Sequence, residues 1–213
     1  MSRNGLFITL EGGEGVGKST QMSAVRNWLV GRGHEVVVTR EPGGTPLAES
    51  VRDVVLGAEQ EVPPLAELLL MFAARVSHVE KVIAPALAAG KTVLCDRFVD
   101  ATYAYQGGAR GLPAEQIDVL TSWLPAAAQP DLTVLIDVPV EVGLERARRR
   151  GEPDRFEKEK VQFFRRVRDA YLERARAFPH RFIVIEANRK PPRRVSAEII
   201  ERLADRLEGA AVD

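Results

Sequence analysis

Leu6-Phe-Ile-Thr-Leu-Glu11-Gly12-Gly-Glu-Gly-Val-Gly-Lys18-Ser-Thr20 decides the fold. Leu6 to Leu10 is an apolar run suited to a buried strand, Gly12 to Ser19 fits G-x-x-x-x-G-K-[ST], and Lys18 opens a helix-periodic segment that reaches Gly31. Strand, glycine-rich loop and helix in that order form a phosphate cradle. Glycines let backbone N–H groups turn inward around phosphate oxygens, and the helix N-terminus favours negative charge. Lys18 supplies a mobile cation and Ser19 a hydroxyl for Mg²⁺. The phosphates of a nucleoside triphosphate are therefore expected on Gly12, Gly13, Glu14, Gly15, Val16, Gly17, Lys18, Ser19 and Thr20.

Outward from that loop the chain alternates. Apolar, β-branched runs recur at Glu35–Thr39, Thr92–Cys95, Leu132–Ile136 and Arg181–Ile185. Their near-continuous apolar character suits strands covered on both faces. Helix-periodic segments lie between them at Lys18–Gly31, Pro46–Leu56, Leu65–Ala89, Pro113–Leu124, Val140–Arg149, Asp154–Ala177 and Pro192–Leu207. The pattern predicts an α/β fold, a five-stranded parallel sheet with helices on both faces and right-handed crossovers. Neither a repeat nor a shift of composition divides residues 1–213, so one domain is expected.

Composition narrows the class. At 213 residues, 45% hydrophobic, the chain buries roughly 70% of its unfolded surface without disulfide staples. Its 30 Lys+Arg balance 30 Asp+Glu, which argues against a whole-surface affinity for nucleic acid or anionic membrane. Of the cations 24 are Arg, the residue that grips phosphate oxygens with a planar fork. Cys95 is the single cysteine, so neither an intrachain disulfide nor a multi-Cys metal site is available. With no apolar run of about 18 residues and no signal-peptide order from Met1 to Gly5, a cytoplasmic protein is expected. His34, His78 and His180 are scattered and are given no role, and Cys95 reads as a small buried hydrophobe.

The cradle names a donor and leaves the reaction open. A guanine-reading Asn-Lys-x-Asp segment is absent, as is D-x-x-G, so a signalling GTPase is disfavoured. A small phosphoryl-transfer enzyme, a P-loop kinase, remains. Arg40 and Asp96-Arg97 each follow a strand directly, the place where open α/β sheets bind ligands. The competing interpretations are an exposed turn arginine and a solvated surface pair.

Further motifs carry a family resemblance over nearly the whole chain. Glu11–Thr20, Thr39-Arg-Glu-Pro-Gly-Gly-Thr45, Phe72-Ala-Ala-Arg75, Asp96-Arg97-Phe98, Tyr103-Ala-Tyr-Gln-Gly-Gly108 and Arg146-Ala-Arg-Arg-Arg-Gly-Glu-Pro-Asp-Arg155 together resemble the bacterial thymidylate kinases. The resemblance implies transfer of the γ-phosphoryl of ATP to dTMP, giving dTDP, with Mg²⁺ and in a homodimer. It places dTMP against Glu11, Arg40, Phe72, Arg75, Arg97, Thr102, Tyr105 and Gln106. Glu11 would accept from the 3′-hydroxyl, Arg40 and Arg97 would hold the phosphate, Phe72 would stack on thymine, and Arg75 would donate to its O4. Tyr105 and Gln106 would close over the nucleotide from a loop, Tyr105 against the 2′ position. Ser19 and Asp96 would face the metal. Ala101 stands where the family pattern has a Ser, so the base contact there passes to Thr102.

Lys18 and Arg97 are the expected catalytic cations. None of the four variable loop positions is basic, so the segment at about 146–155 is expected to be a mobile lid whose Arg149 or Arg150 reaches the transferring phosphoryl. A solvated basic helix face competes with that interpretation. Rival functions are another nucleoside monophosphate or deoxynucleoside kinase, and a non-catalytic nucleotide-dependent switch.

Overall fold

The computed structural model describes residues 5–57, 61–149, 155–157 and 159–209. Five strands form one all-parallel sheet: β1 (Phe7–Glu11), β2 (Val36–Arg40), β3 (Thr92–Asp96), β4 (Leu132–Asp137) and β5 (Phe182–Glu186). Their spatial order is β2-β3-β1-β4-β5. The chain leaves β1, returns on its far side as β2 and β3, then crosses to β4, so the carboxyl ends of β1 and β3 border the reversal where such sheets bind ligands. Register makes this literal. Leu10 stands opposite Asp96, and Asp96 opposite Arg40.

The three central strands are covered on both faces, and every residue of β1 is buried. The outer strands depart from the expected continuous burial: Val38 of β2 and Val184 of β5 are exposed, because an edge strand lacks a neighbour to extend its cover.

One face carries α1 (Lys18–Gly31) and α9 (Pro192–Gly209) over Ile8, Leu10, Val134 and Ile185. The other carries α2 (Pro46–Leu56), α3 (Pro64–His78), α4 (Ala84–Ala88), α5 (Val99–Thr102), α6 (Ala114–Ser122), α7 (Val140–Arg148) and α8 (Val161–Ala177). The predicted Leu65–Ala89 helix is α3 and α4 joined by a π-helical stretch, Val79–Ile83. A second π-helical stretch, Tyr103–Ala109, replaces the loop expected around Tyr105 and Gln106. Its glycines serve close packing rather than bending. A Cβ on Gly108 would come within 2.5 Å of the Ala170 Cβ on α8.

Candidate active site

Glycine geometry shapes the loop after β1. Gly12 has φ 140°, and a Cβ there would meet the Ile136 carbonyl oxygen at 2.5 Å. Gly15, at φ 66°, lies so close under α7 that a Cβ would fall 1.9 Å from the Gly143 oxygen. Gly17, at φ 96°, precedes α1, whose first turn has no side-chain cap and no acidic residue. The free N–H groups and positive end of α1 therefore face a cleft of about 630 Å³. Gly15 to Thr20, Arg40, Asp96, Arg97 and Arg146 line it. Lys18 Nζ folds back toward the carbonyls of Gly12 (3.3 Å) and Gly13 (3.4 Å) and lies 3.9 Å from Asp96 Oδ1. Burial, with the Arg97 guanidinium adding to it, lowers the Lys18 pKa, while Asp96 and Glu14 oppose. A polyanion would restore the charged form.

A second cavity, about 120 Å³, opens beneath α3 and α5. Met71 and Arg75 of α3, Ala101 and Thr102 of α5, Tyr105 and Gln106, Glu41, Arg52 and Phe156 contribute walls. Arg97 and Glu14 line both spaces. Arg97 sits at φ 67°, unusual for a residue with a side chain. Its Nη2 donates to Glu14 Oε1 at 2.7 Å and its Nη1 to the Tyr171 hydroxyl at 3.2 Å. Tyr105 donates to the same Glu14 oxygen at 2.7 Å, and its ring lies 4.8 Å from the Arg97 guanidinium carbon.

Arg75 is 3% exposed. Its Nε donates to Glu41 Oε2 at 2.7 Å and its Nη2 to the Phe98 carbonyl at 3.2 Å, while buried Nη1 has no hydrogen-bond partner among the described residues. His78, given no role from sequence, braces this group. Its Nδ1 lies 3.0 Å from Glu41 Oε1 and its Nε2 2.7 Å from Thr39 Oγ1.

Several expected roles change. Glu11 is fully buried, with Phe98 N–H donating to one carboxyl oxygen and the Tyr171 hydroxyl to the other, each at 2.7 Å, so it props the site from behind rather than facing a sugar. Burial, followed by the neighbouring Asp100 charge, pushes its pKa from 4.5 to about 8. Phe72 packs with Leu68 and Val79 in the core, and Met71, one turn before Arg75, lines the cavity instead. Arg40 stays at the rim of the larger cleft, outside the smaller cavity, held by Glu49 at 3.0 Å. Arg149 is exposed and paired with Glu145 at 2.5 Å. On α7 it is Arg146 that reaches the cleft. Arg150, with residues 150–154 of the lid expected at about 146–155, lies outside the described residues. Burial raises the Cys95 thiol pKa well above its ordinary value, in keeping with an inert core residue.

Thr102, Tyr105, Gln106, Arg75 and Arg97 are brought together as expected, and Ser19 and Asp96 share the larger cleft. Glu14, Arg52, Met71, Phe156 and Tyr171 were missed as side-chain contributors. Only Met71 carried a sequence signal, its four-residue spacing from Arg75 on one helix face.

Comparison with known proteins decides the family. The thymidylate kinase family model matches residues 10–199. The chain belongs to the thymidylate kinase family. It is 54% identical over 206 residues to a thymidylate kinase of Chromohalobacter salexigens, covering 95% of this chain and 97% of that one. A Methylococcus capsulatus thymidylate kinase is 56% identical over 185 residues, covering 87% and 88%. The solved thymidylate kinase of Ehrlichia chaffeensis superposes with a TM-score of 0.76 at 37% identity, covering 93% and 98%. Membership of the thymidylate kinase family makes the chain an ATP-dependent phosphotransferase. Among the described residues no helix is long and apolar enough to cross a membrane.

Proposed function

We propose that this thymidylate kinase seats the triphosphate of ATP in the larger cleft and dTMP in the smaller cavity, with phosphoryl transfer where the two meet. The carrying observation is Arg97, which directly follows β3 and stands on the wall of both spaces, as Arg52 of α2 also does. Phosphoryl transfer needs two anions held in line and their charge neutralised. Lys18, the N-terminus of α1 and Arg97 supply that on the axis, and Arg146 supplies it from α7 in place of Arg149.

The smaller cavity suits thymine. The partnerless Nη1 of Arg75 is a buried donor, and a base carbonyl satisfies it where the amino group of cytosine leaves two donors opposed. Met71 offers an apolar wall to the ring, and Thr102 and Gln106 offer polar edges. Glu14, between Arg97 and Tyr105, takes over the sugar-hydroxyl role first given to Glu11.

Among the described residues no cluster of three or more acidic, His or Cys side chains forms a resident metal site. The donor set fits Mg²⁺ arriving with the nucleotide: Ser19 lines the cleft, and Asp96 Oδ1 is buried without a hydrogen-bond partner among the described residues. Ser19 and Asp96 would hold it there, and it would supply neutralisation of phosphate charge.

A homodimer and a reducing cytoplasm complete the proposal. Leu47 and Val54 on α2, and Leu65, Leu69 and Val76 on α3, leave an exposed apolar surface that a second copy would cover. Sedimentation of the purified protein tests the dimer, with a monomer at micromolar concentration refuting it. Initial rates with ATP, Mg²⁺ and a panel of nucleoside monophosphates test the substrate. dTMP should lead, and an equal rate with dCMP would refute the assignment of the cavity.

A further inference from the structure

Glu67 is fully buried, on the face of α3 that carries Met71 and Arg75 at successive four-residue steps. It touches neither cavity, yet its carboxylate gathers three side chains from distant parts of the chain. Gln106 Nε2 donates to Oε1 at 2.8 Å, Arg110 Nε approaches the same oxygen at 3.4 Å, and Arg155 Nη2 donates to Oε2. Arg110 Nη1 continues to Glu159 at 2.5 Å. Two guanidiniums thus compensate two carboxylates, the condition under which such a group tolerates burial.

Three consecutive residues then face three different surroundings. Arg155 is held by Glu67 and donates from Nε to the Val55 carbonyl at 2.8 Å. Phe156 lines the smaller cavity and meets the Tyr105 ring edge-on, with centroids 5.6 Å apart. Glu157 lines the larger cleft. The same carboxylate also holds Gln106 at the wall of the smaller cavity.

We propose that Glu67 is a positioning residue that couples the two substrate sites, by holding Gln106 at one of them and, through Arg155, placing Phe156 and Glu157 at one site each. Binding in the smaller cavity fixes Gln106 and Phe156, so the segment that borders the larger cleft is already set when the second substrate arrives. By linkage the effect is reciprocal. The inference rests on the assignment of dTMP and ATP to these two cavities.

The test is calorimetric titration of dTMP into the protein with and without a non-hydrolysable ATP analogue and Mg²⁺. In the unaltered protein the analogue should tighten dTMP by about fivefold or more, and in Glu67→Gln and Arg155→Met that ratio should fall to within about twofold of unity. Arg155→Lys, which keeps the charge, should recover part of the ratio. Thermal unfolding identifies any variant that fails to fold, and Arg155→Met carries the test if Glu67→Gln is lost. A ratio near unity in the unaltered protein, or an undiminished ratio in Arg155→Met, overturns the proposal. Arg75→Ala separates the premises: unchanged dTMP affinity there refutes the cavity assignment, whereas reduced affinity there with undiminished coupling in Arg155→Met refutes the role of Glu67 alone.

Discussion

The larger cleft and the smaller cavity lie end to end, yet they are built in opposite ways. The cleft is founded on one contiguous segment, Glu14 to Thr20, with glycines at positive φ and the N-terminus of α1, to which Arg40, Asp96, Arg97 and Arg146 add charge from elsewhere. The cavity is mostly side chains delivered by α2, α3, α5, the turn after β3 and the Tyr103–Ala109 stretch, and its Arg75, Arg97, Tyr105 and Gln106 are each held by a partner elsewhere in the chain. Arg75 points as it does because Glu41 and Phe98 hold it, and Glu41 because His78 does. A phosphate needs only convergent N–H groups and charge, which one short segment supplies. A base edge must be matched donor to acceptor, which requires groups from several directions.

The largest effect should come from the cleft. Lys18→Ala should lower single-turnover phosphoryl transfer by about a hundredfold to a thousandfold. Its dTMP affinity, measured by calorimetry, should stay unchanged. Parallel loss of dTMP binding would break the division between the two sites. Arg97→Ala should come next. Removing a charge-assisted contact to the acceptor phosphate should weaken dTMP by about 2 to 3 kcal/mol. Because Arg97 also borders the cleft, ATP should weaken as well, though by less. Equal losses would make Arg97 a donor residue.

Arg75→Ala sharpens the picture of the cavity. Its preference for dTMP over dCMP in kcat/KM should fall by an amount worth about 1 to 3 kcal/mol. An unchanged preference would put the discrimination on other walls.

A different readout, stability, should report on Glu11 behind both sites. Its carboxyl is raised from 4.5 to about 8 by burial and by Asp100. A group whose pKa is raised by folding stabilises fully below its unfolded value and loses that contribution as pH climbs through its folded value. The unfolding midpoint should therefore carry a component that declines from the ordinary carboxylate range up to about pH 8. Glu11→Gln should lack that component in thermal unfolding across the same range. An equal slope in both proteins would show that Glu11 is ionised in the folded chain.

Legibility followed the same division. The strand, loop and helix from Leu6 to Gly31, the alternation of five strands with helices, and the strand-end positions of Arg40 and Asp96-Arg97 are local patterns, and the structure bears them out. Arg75, Thr102 and Gln106 were placed by resemblance and do line the cavity. Phe72 was given to the base by resemblance against its ordinary tendency to be core, and helix phase does turn it into the core and give the wall to Met71. Glu11 was likewise placed at the sugar by resemblance, and folding buries it instead. The partners that occupy it, Phe98 and Tyr171, lie far along the chain.

By itself, then, the sequence determined the strand order of events along the chain, the phosphate loop and the kinase family, because each rests on short-range spacing or on several motifs read together. Tertiary structure alone decided which carboxylate is spent on support, Glu11, and which faces the ligand space, Glu14. It also decided that Arg146 and not Arg149 turns to the cleft, and that Glu67 joins segments 88 residues apart. Those outcomes depend on what surrounds a side chain after folding. Desolvation and partner geometry act through space, and no spacing along the chain encodes them locally.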